Sequence, residues 1–134
     1  MDAFDADVLI YAAVPGHQLG RRVADLLAKA ESGRAGIGSA VLLPELLGKP
    51  LRDGDARAVQ SLVTLLARLD LRPVDRATAT LAAILAARYH LRAADSIHLA
   101  TAVTMGAQRF ITNNSRDFPQ TIAEIDITYP ADLG

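Results

Sequence analysis

The chain has 134 residues, a formal net charge of −1 and no cysteine. Its length fits one domain, residues 1–134, with a core that needs no disulfides, and the lack of thiols also excludes thiolate metal sites. No apolar run approaches the roughly 18 residues of a membrane span, and the acidic start MDAFDAD is unlike a signal peptide. We therefore predict a soluble, cytoplasmic domain with no membrane contact. The charge balance neither favours nor excludes a nucleic-acid partner.

Short strand-like segments alternate with helical periods along the chain. Apolar segments bounded by turn residues predict strands at AFDA (3–6), AGIGS (35–39), LRPV (71–74), RFIT (109–112) and EIDITY (124–129). Apolar residues at helical spacing predict helices from Val23 to Ala30 and over 39–48, 57–69, 81–89 and 94–107. The last helix has no polar stripe and should be covered on most sides. The alternation predicts an α/β domain with a mainly parallel β-sheet of about four or five strands, flanked by helices.

Two early carboxylates lie in an apolar stretch, FDADVLIY. Asp5 and Asp7 are costly there unless a cation or hydrogen-bond donors receive them, which leaves a phosphorylated aspartate, a metal site or a helix cap. Ligand sites of parallel sheets lie beyond the carboxyl ends of the strands. Asp5 and Thr112 are both predicted at such ends, so we expect chemistry at this edge of the sheet.

One interpretation of this pattern is phosphoaspartyl chemistry. The strand followed by D-x-D imitates haloacid-dehalogenase-like phosphatases, with Thr112 as their second motif, and a phosphoaspartyl receiver domain would use similar residues. Both kinds of site need a Lys beyond that Thr, whereas the chain has no Lys after Lys49. An Arg such as Arg116 carries charge but not the compact ammonium group. Phosphoaspartyl chemistry is therefore the alternative hypothesis.

Three further acids each have an ordinary explanation when taken singly. Glu45, in VLLPELL, is either a solvated helix residue or, because its apolar flanks leave no polar face, a residue buried beside other polar groups. Asp95 stands at the head of the charge-poor helix, where an Asp can simply cap the helix or complement its dipole. Asp117, in TNNSRDF, lies in a predicted loop, where Asp is a common turn residue.

Taken together, four acids indicate one site. Asp5, Glu45, Asp95 and Asp117 each follow a predicted strand or open a predicted helix in successive units of the α/β domain. Carboxylates that converge at one sheet edge repel one another, and a hard divalent cation with oxygen ligands removes that repulsion. Such a cation can also promote cleavage of a phosphodiester.

These residues carry a resemblance to a known family. The segments FDADVLIYA, VLLPELL, LRAADSIHLATA and FITNNSRDF resemble, in order and over nearly the full chain, the four acidic motifs of PIN domains, above all the VapC-type toxins of bacterial toxin–antitoxin pairs. The resemblance implies a Mg²⁺- or Mn²⁺-dependent endoribonuclease. It implies that Asp5, Glu45 and Asp95 bind the metal with Asp117 as a fourth acid, and that Thr112 is a supporting hydroxyl.

The motifs depart from the family pattern at two positions. Asp7 stands where the family more often has Asn or Ser, so we expect it to support the turn around Asp5 rather than to bind the metal. Asn114 stands where many members have Asp, and Asp117 three residues later, followed by Phe118, matches another common form of the motif. The fourth acid is therefore assigned to Asp117, with Asn114 in a supporting role.

The resemblance also implies partners. These are an RNA substrate, a VapB-type antitoxin whose segment enters the active-site groove, and a second copy of the chain in a homodimer. The Leu-rich helices predicted over 39–48 and 57–69 offer apolar surface for a helix-in-groove partner, although core packing could also use it. We expect Arg116 near the substrate. His98, one helical turn after Asp95 and flanked by apolar residues, is predicted to be a packed, hydrogen-bonded histidine and not a metal ligand.

Overall fold

A five-stranded, fully parallel sheet lies at the centre of the computed structural model, which describes residues 1–29 and 33–134. The strands are β1 (Asp2–Phe4), β2 (Gly36–Ser39), β3 (Leu69–Arg72), β4 (Arg109–Ile111) and β5 (Asp126–Thr128). Their spatial order is β3-β2-β1-β4-β5. The prediction of a parallel sheet in an α/β domain is confirmed.

Helices connect the first four strands in pairs. They are α1 (Ala6–Ala13), α2 (Gln18–Ala28), α3 (Leu42–Asp53), α4 (Ala56–Leu66), α5 (Arg76–Tyr89) and α6 (Ala93–Thr104), and a 3₁₀ turn (Pro130–Asp132) follows β5. The period that begins at Val23 belongs to α2, and its last predicted residue, Ala30, lies outside the described residues. None of the helices in the described ranges is long and apolar enough to span a membrane.

Several predicted element boundaries were wrong, most clearly around β3 and α3. The helix predicted to end at Leu69 ends at Leu66, and the next strand starts at Leu69, two residues earlier than predicted. Leu69 fits both periods, and pairing with Gly36 of β2 decides in favour of the strand. The helix predicted over 39–48 begins at Leu42 and continues to Asp53. It ends at Gly54, which adopts the left-handed conformation (φ 68°) that favours glycine.

The core has two halves, one on each face of the sheet. Successive strand residues point to opposite faces, so Ala3 packs with α5 and α6 while Phe4 packs with α1 to α4. Phe110 and Ile111 divide in the same way between the two clusters. The sheet is therefore covered by helices on both sides, as parallel sheets require.

The strand order places a crevice between β1 and β4. From β1 the chain moves outward through β2 to β3, then crosses back to β4 on the other side of β1 and continues to β5. The strand order thus reverses between β1 and β4, and ligands of such sheets bind beyond the carboxyl ends of the strands at that switch point. Asp5 directly follows β1 and Thr112 directly follows β4, so both predicted strand-end positions are confirmed.

Candidate functional site

Asp5 is held rigidly at the end of β1. Its backbone N–H donates to the carbonyl oxygen of Ile111 at 2.9 Å, which fixes the residue beside β4. Its Oδ1 accepts a hydrogen bond from the Ala6 backbone N–H and its Oδ2 one from the Thr112 hydroxyl, both at 2.8 Å. Asp5 is 5% exposed and is the N-cap of α1. Asp5 therefore both caps α1 and occupies the predicted site at the end of β1.

Burial sets the protonation behaviour of Asp5. Loss of solvent raises the pKa of this carboxyl, and the charge of Glu45 raises it further. The hydrogen bonds from Thr112 and Ala6 and the ring of His98 oppose that rise in pKa. Burial therefore disfavours the ionised form of Asp5, because its two hydrogen bonds do not fully replace the lost water.

Asp7 joins the start of α1 to the loop after β4. Its Oδ2 accepts a hydrogen bond from the Asn113 backbone N–H at 3.0 Å. Its Oδ1 is buried and has no hydrogen-bond partner among the described residues. Burial, followed by the charges of Asp5 and Asp95, raises the pKa of Asp7 to about 7. The Asp7 side chain therefore holds the loop after β4 against the start of α1. The sequence predicts a different role for it, support of the turn around Asp5.

The loop after β4 is built around Asn114 and Asp117. Asn114 donates from Nδ2 to Asp117 Oδ2 at 2.9 Å and accepts from the Asp117 backbone N–H at 3.1 Å. The Asn114 backbone N–H donates to the Thr112 hydroxyl oxygen at 3.1 Å, and the buried ring of Phe118 anchors the far end of the loop. The Asn114 side chain is used internally, so Asp117 is the residue of this loop that presents a carboxylate.

Glu45 is partly exposed, and so it is less buried than the second of the two alternatives, a residue buried beside other polar groups, requires. Helical spacing directs Leu42 and Leu46 into the core and leaves Leu43 outside, so apolar flanks did not imply burial. The Glu45 side chain is 33% exposed, and its carboxylate contacts Nε2 of His98 on α6. His98 itself is buried and hydrogen-bonded, as predicted.

Asp95 lies in the first turn of α6 and does not cap it. The N-cap is Arg92, which has no side-chain capping bond. Partial burial raises the pKa of Asp95 first, and the charges of Asp5, Asp117 and Glu45 raise it further. The charges of the other three acids therefore all act on the carboxyl group of Asp95. The tertiary structure brings all four predicted acids to the carboxyl edge of the sheet.

Comparison with known proteins agrees with this architecture. A model of the PIN domain family matches residues 3–123. The chain belongs to the PIN domain family. A sequence comparison with curated proteins gives no match.

Solved structures with the same fold extend over almost the whole PIN domain. A toxin–antitoxin complex from Klebsiella pneumoniae has a chain that is 20% identical, with a TM-score of 0.76 and coverage of 97% of this chain and 98% of that one. A VapBC2 complex from Rickettsia felis, bound to a DNA fragment from its promoter, has a chain that is 17% identical, with a TM-score of 0.74 and coverage of 96% and 97%. At this level of identity the likeness is one of fold.

The oxygen donors of this PIN domain fit a hard divalent cation bound partly through water. In the part of the chain that the structure describes, no three acidic or histidine side chains stand close enough to form a ready-made metal cage. Mg²⁺ keeps several waters and takes only one or two carboxylates directly, and Mn²⁺ also accepts oxygen ligands. Burial is the main cause of the raised pKa values of Asp5 and Asp95, and repulsion from the other acids adds to it. A bound cation would offset both effects, because it favours the ionised carboxylates.

Sequence reasoning missed two contacts of this PIN domain. One joins Glu45 to His98 and the other joins Asp7 to Asn113. The one-turn spacing of Asp95 and His98 on α6 placed the histidine near the acids, but nothing in the sequence paired it with a residue of α3. Arg116, expected near the substrate, is exposed in the same loop as Asp117.

Replacing Asp7 with Asn is expected to stabilise the metal-free PIN domain in a pH-dependent way. The unfolded state loses this proton near pH 3.8 and the folded state near pH 7, so the penalty for Asp7 is absent below pH 4, grows through that window and is complete above it. The difference in pKa converts to at most roughly 4 kcal/mol. Since Asp7 is partly exposed, we expect about 1–2 kcal/mol at pH 8, measured by urea unfolding with chelator at several pH values.

An exposed acid at the opposite edge of the sheet provides the control for Asp7→Asn. Asp126 begins β5 at its amino end, and Asp126→Asn removes one charge without touching the four acids. A stability difference between Asp7→Asn and wild type that is the same at pH 4 and pH 8 would contradict the prediction.

Proposed function

We propose that this PIN domain is a Mg²⁺- or Mn²⁺-dependent endoribonuclease and the toxin of a bacterial type II toxin–antitoxin pair. The observation that carries the proposal is that four carboxyl groups lie near the switch point of the sheet, close enough for their charges to interact. They belong to Asp5, Glu45, Asp95 and Asp117. Such an ion, when bound, supplies a Lewis acid for the phosphodiester and offsets the negative charge that develops during cleavage.

The residues of this chain would hold the ion and the phosphate in a fixed geometry. Asp5 needs little reorganisation, because Ala6 and Thr112 already orient both of its oxygens. Asp95 and Asp117 approach from α6 and from the loop after β4, and Asn114 occupies one Asp117 oxygen so that the other is available. Asp7 keeps that loop against α1 through Asn113.

The proposed substrate is RNA, contacted mainly through its phosphates. Arg116 is exposed beside Asp117, and its side chain has no ion-pair partner within the described ranges. A guanidinium group in that place can bind a phosphate of the strand and set its register without reading its bases. Which RNA is cleaved is set by contacts beyond this group.

The structure does not favour phosphoaspartyl chemistry. A phosphatase-like site would use Asp7 as an acid and base, yet its Oδ2 fastens the backbone of Asn113 and its Oδ1 is buried. The chain also lacks a Lys after Lys49. On the proposed function, Asp7→Asn keeps substantial RNA cleavage, whereas a phosphatase would lose its activity.

The proposal includes an antitoxin partner. Two structures with this fold come from toxin–antitoxin complexes, one of them a VapBC2 complex. An apolar depression of about 350 Å³ between α3, α4 and β3 is lined in part by the exposed Leu43 and Val63. This surface suits the apolar side of a helix from a VapB-type antitoxin. We extend the proposal to a homodimer that acts in the cytoplasm, where its RNA substrate lies.

Purified protein should cleave RNA only when a divalent cation is present. The expected result is endonucleolytic products with Mg²⁺ or Mn²⁺ and none with excess chelator, because the acids alone cannot offset the charge on the phosphodiester. Mapping of cellular RNA ends after induction would then identify the target. A protein that cleaves no RNA with either metal would be a catalytically silent PIN-like binding module, and hydrolysis of a generic phosphate monoester would support the phosphatase hypothesis.

A further inference from the structure

His98 is a buried polar residue of α6 that contacts Glu45 and interacts electrostatically with Asp5 and Asp95. Its side chain is 1% exposed, its Nε2 contacts Oε1 of Glu45, and its Nδ1 has no partner within residues 1–29 and 33–134. A hydrogen on Nε2 lets the ring donate to the Glu45 carboxylate, which fixes the plane of the ring and the position of the carboxylate relative to it.

Glu45 depends on this contact for its orientation. Apart from His98, no group in the described part of the chain hydrogen-bonds to the Glu45 carboxylate. The side chain is 33% exposed on α3 and carries three rotatable bonds, so its carboxylate would otherwise turn toward water. The negative charges of Asp5 and Asp95 also repel the Glu45 carboxylate. His98 is the described group that opposes this movement.

We propose that His98 is a positioning residue that holds the Glu45 carboxylate toward Asp5 and Asp95 in the orientation that binds metal. The inference rests on the proposed function, since it assigns His98 to the same cation site. His98 does not bind the ion in this scheme: its Nε2 is occupied by Glu45 and its Nδ1 is enclosed in the core. It therefore acts through Glu45.

Mn²⁺ affinity of the purified protein tests the proposal directly. His98→Leu keeps a buried apolar side chain but removes the donor, and we expect Mn²⁺ binding measured by calorimetry to weaken 10–100-fold, as is typical when the hydrogen-bond partner of a metal ligand is lost. His98→Gln retains a donor that reaches Glu45 and should stay within about threefold of wild type. If His98→Leu does not fold, His98→Asn, whose amide is one methylene shorter than that of Gln, takes its place.

Thr101→Val is the matched control on the same helix. Thr101 is buried on α6, and its hydroxyl donates to the Ile97 carbonyl oxygen at 2.8 Å without contacting an acid. Its replacement removes a buried hydrogen bond from α6 and should leave Mn²⁺ affinity at the wild-type value. Equal weakening by Thr101→Val and His98→Leu would overturn the proposal, because damage to the helix would then explain both.

A metal-free measurement separates this inference from the proposed function. Single and double variants of His98→Leu and Glu45→Leu should shift the urea midpoint non-additively, since each variant breaks the same contact. Additive shifts, or wild-type Mn²⁺ affinity in His98→Leu, would overturn the positioning role even if the protein cleaves RNA. Non-additive shifts in a protein that binds no Mn²⁺ would overturn the metal function and, with it, the role assigned to His98, leaving only a structural contact.

Discussion

Asp5→Asn is expected to abolish RNA cleavage while the protein stays folded. The change removes one charge from the place where the four acids meet and retains nearly the same shape. We expect a loss of at least about a hundredfold, beyond the 10–100-fold range of residues that act through a metal ligand. Cleavage rates at saturating Mg²⁺, compared with those of the wild type, measure the effect.

The hydrogen bonds around Asp5 explain why the fold should survive. In Asp5→Asn the side-chain oxygen can still accept from the Ala6 N–H, and the Thr112 hydroxyl, which also accepts from Asn114, can rotate to accept from the new amide group. Removal of a buried charge also lowers the cost of folding. Circular dichroism and the melting temperature should therefore match or exceed those of the wild type.

Asp126→Asn serves as the matched control for Asp5→Asn. It makes the same chemical change at the amino edge of the sheet, away from the four acids, and should leave the cleavage rate unchanged. Undiminished cleavage by folded Asp5→Asn would remove the metal-site hypothesis, and equal loss in both variants would point to a nonspecific effect of charge.

Divalent cations are expected to raise the melting temperature in a saturable way. A ligand that binds only the native state stabilises it by about 2.7 kcal/mol at a hundredfold excess over its dissociation constant. For a domain of this size that corresponds to a rise of roughly 5 to 15 °C. NaCl should cause only a smaller change, because it screens the repulsion among the acids without binding between them. A thermal titration with Mg²⁺, Mn²⁺ and NaCl measures all three effects.

Asp95→Asn should stabilise the metal-free protein, although it removes a proposed metal ligand. The pKa of Asp95 is raised in the folded protein, so its charge opposes folding at neutral pH even though it lies favourably in the first turn of α6. Without metal we expect the melting temperature of Asp95→Asn to exceed that of the wild type by about 2 to 5 °C. The further rise caused by Mn²⁺ should shrink, because a carboxylate of the site is gone.

A residue whose role is purely structural would behave differently. An Asn caps a helix about as well as an Asp, so a capping role for Asp95 predicts no change in either quantity. A flat melting temperature across millimolar Mn²⁺, together with Asp95→Asn behaving like the wild type, would show that these acids do not form one site.

The four acids were predicted from sequence because each follows a strand or opens a helix that the local residue pattern indicates. Strand and helix periods identify those ends, and the carboxyl ends of parallel strands meet at one edge. The same local signals failed at Leu69, where a helical and a strand period overlap and pairing with β2 decides. They also left the exposure of Glu45 open, since apolar neighbours on a helix face different directions.

The contacts that organise the site were outside the reach of the sequence. Glu45 and His98 are 53 residues apart, and Asp7 and Asn113 are 106 apart. Pairings over such separations depend on which helices cover which face and on where the strand order reverses. Local helix and strand propensities do not indicate which face a helix covers or where the strand order reverses. Each segment would form the same helix or strand in a different arrangement.

By itself, the sequence determined that this protein is an α/β domain with a parallel sheet and acids at the ends of its elements. Those features follow from side-chain periodicity over a few residues, and the acidic motifs in their order also sufficed for membership of the PIN domain family. Only the tertiary structure decided the strand order β3-β2-β1-β4-β5 and the crevice between β1 and β4. It also decided that His98 contacts Glu45 and that Asp7 accepts a hydrogen bond from the loop after β4. The reason is physical: burial and charge repulsion act between groups that meet in space, and the packing of the two helical layers on the sheet determines which groups meet.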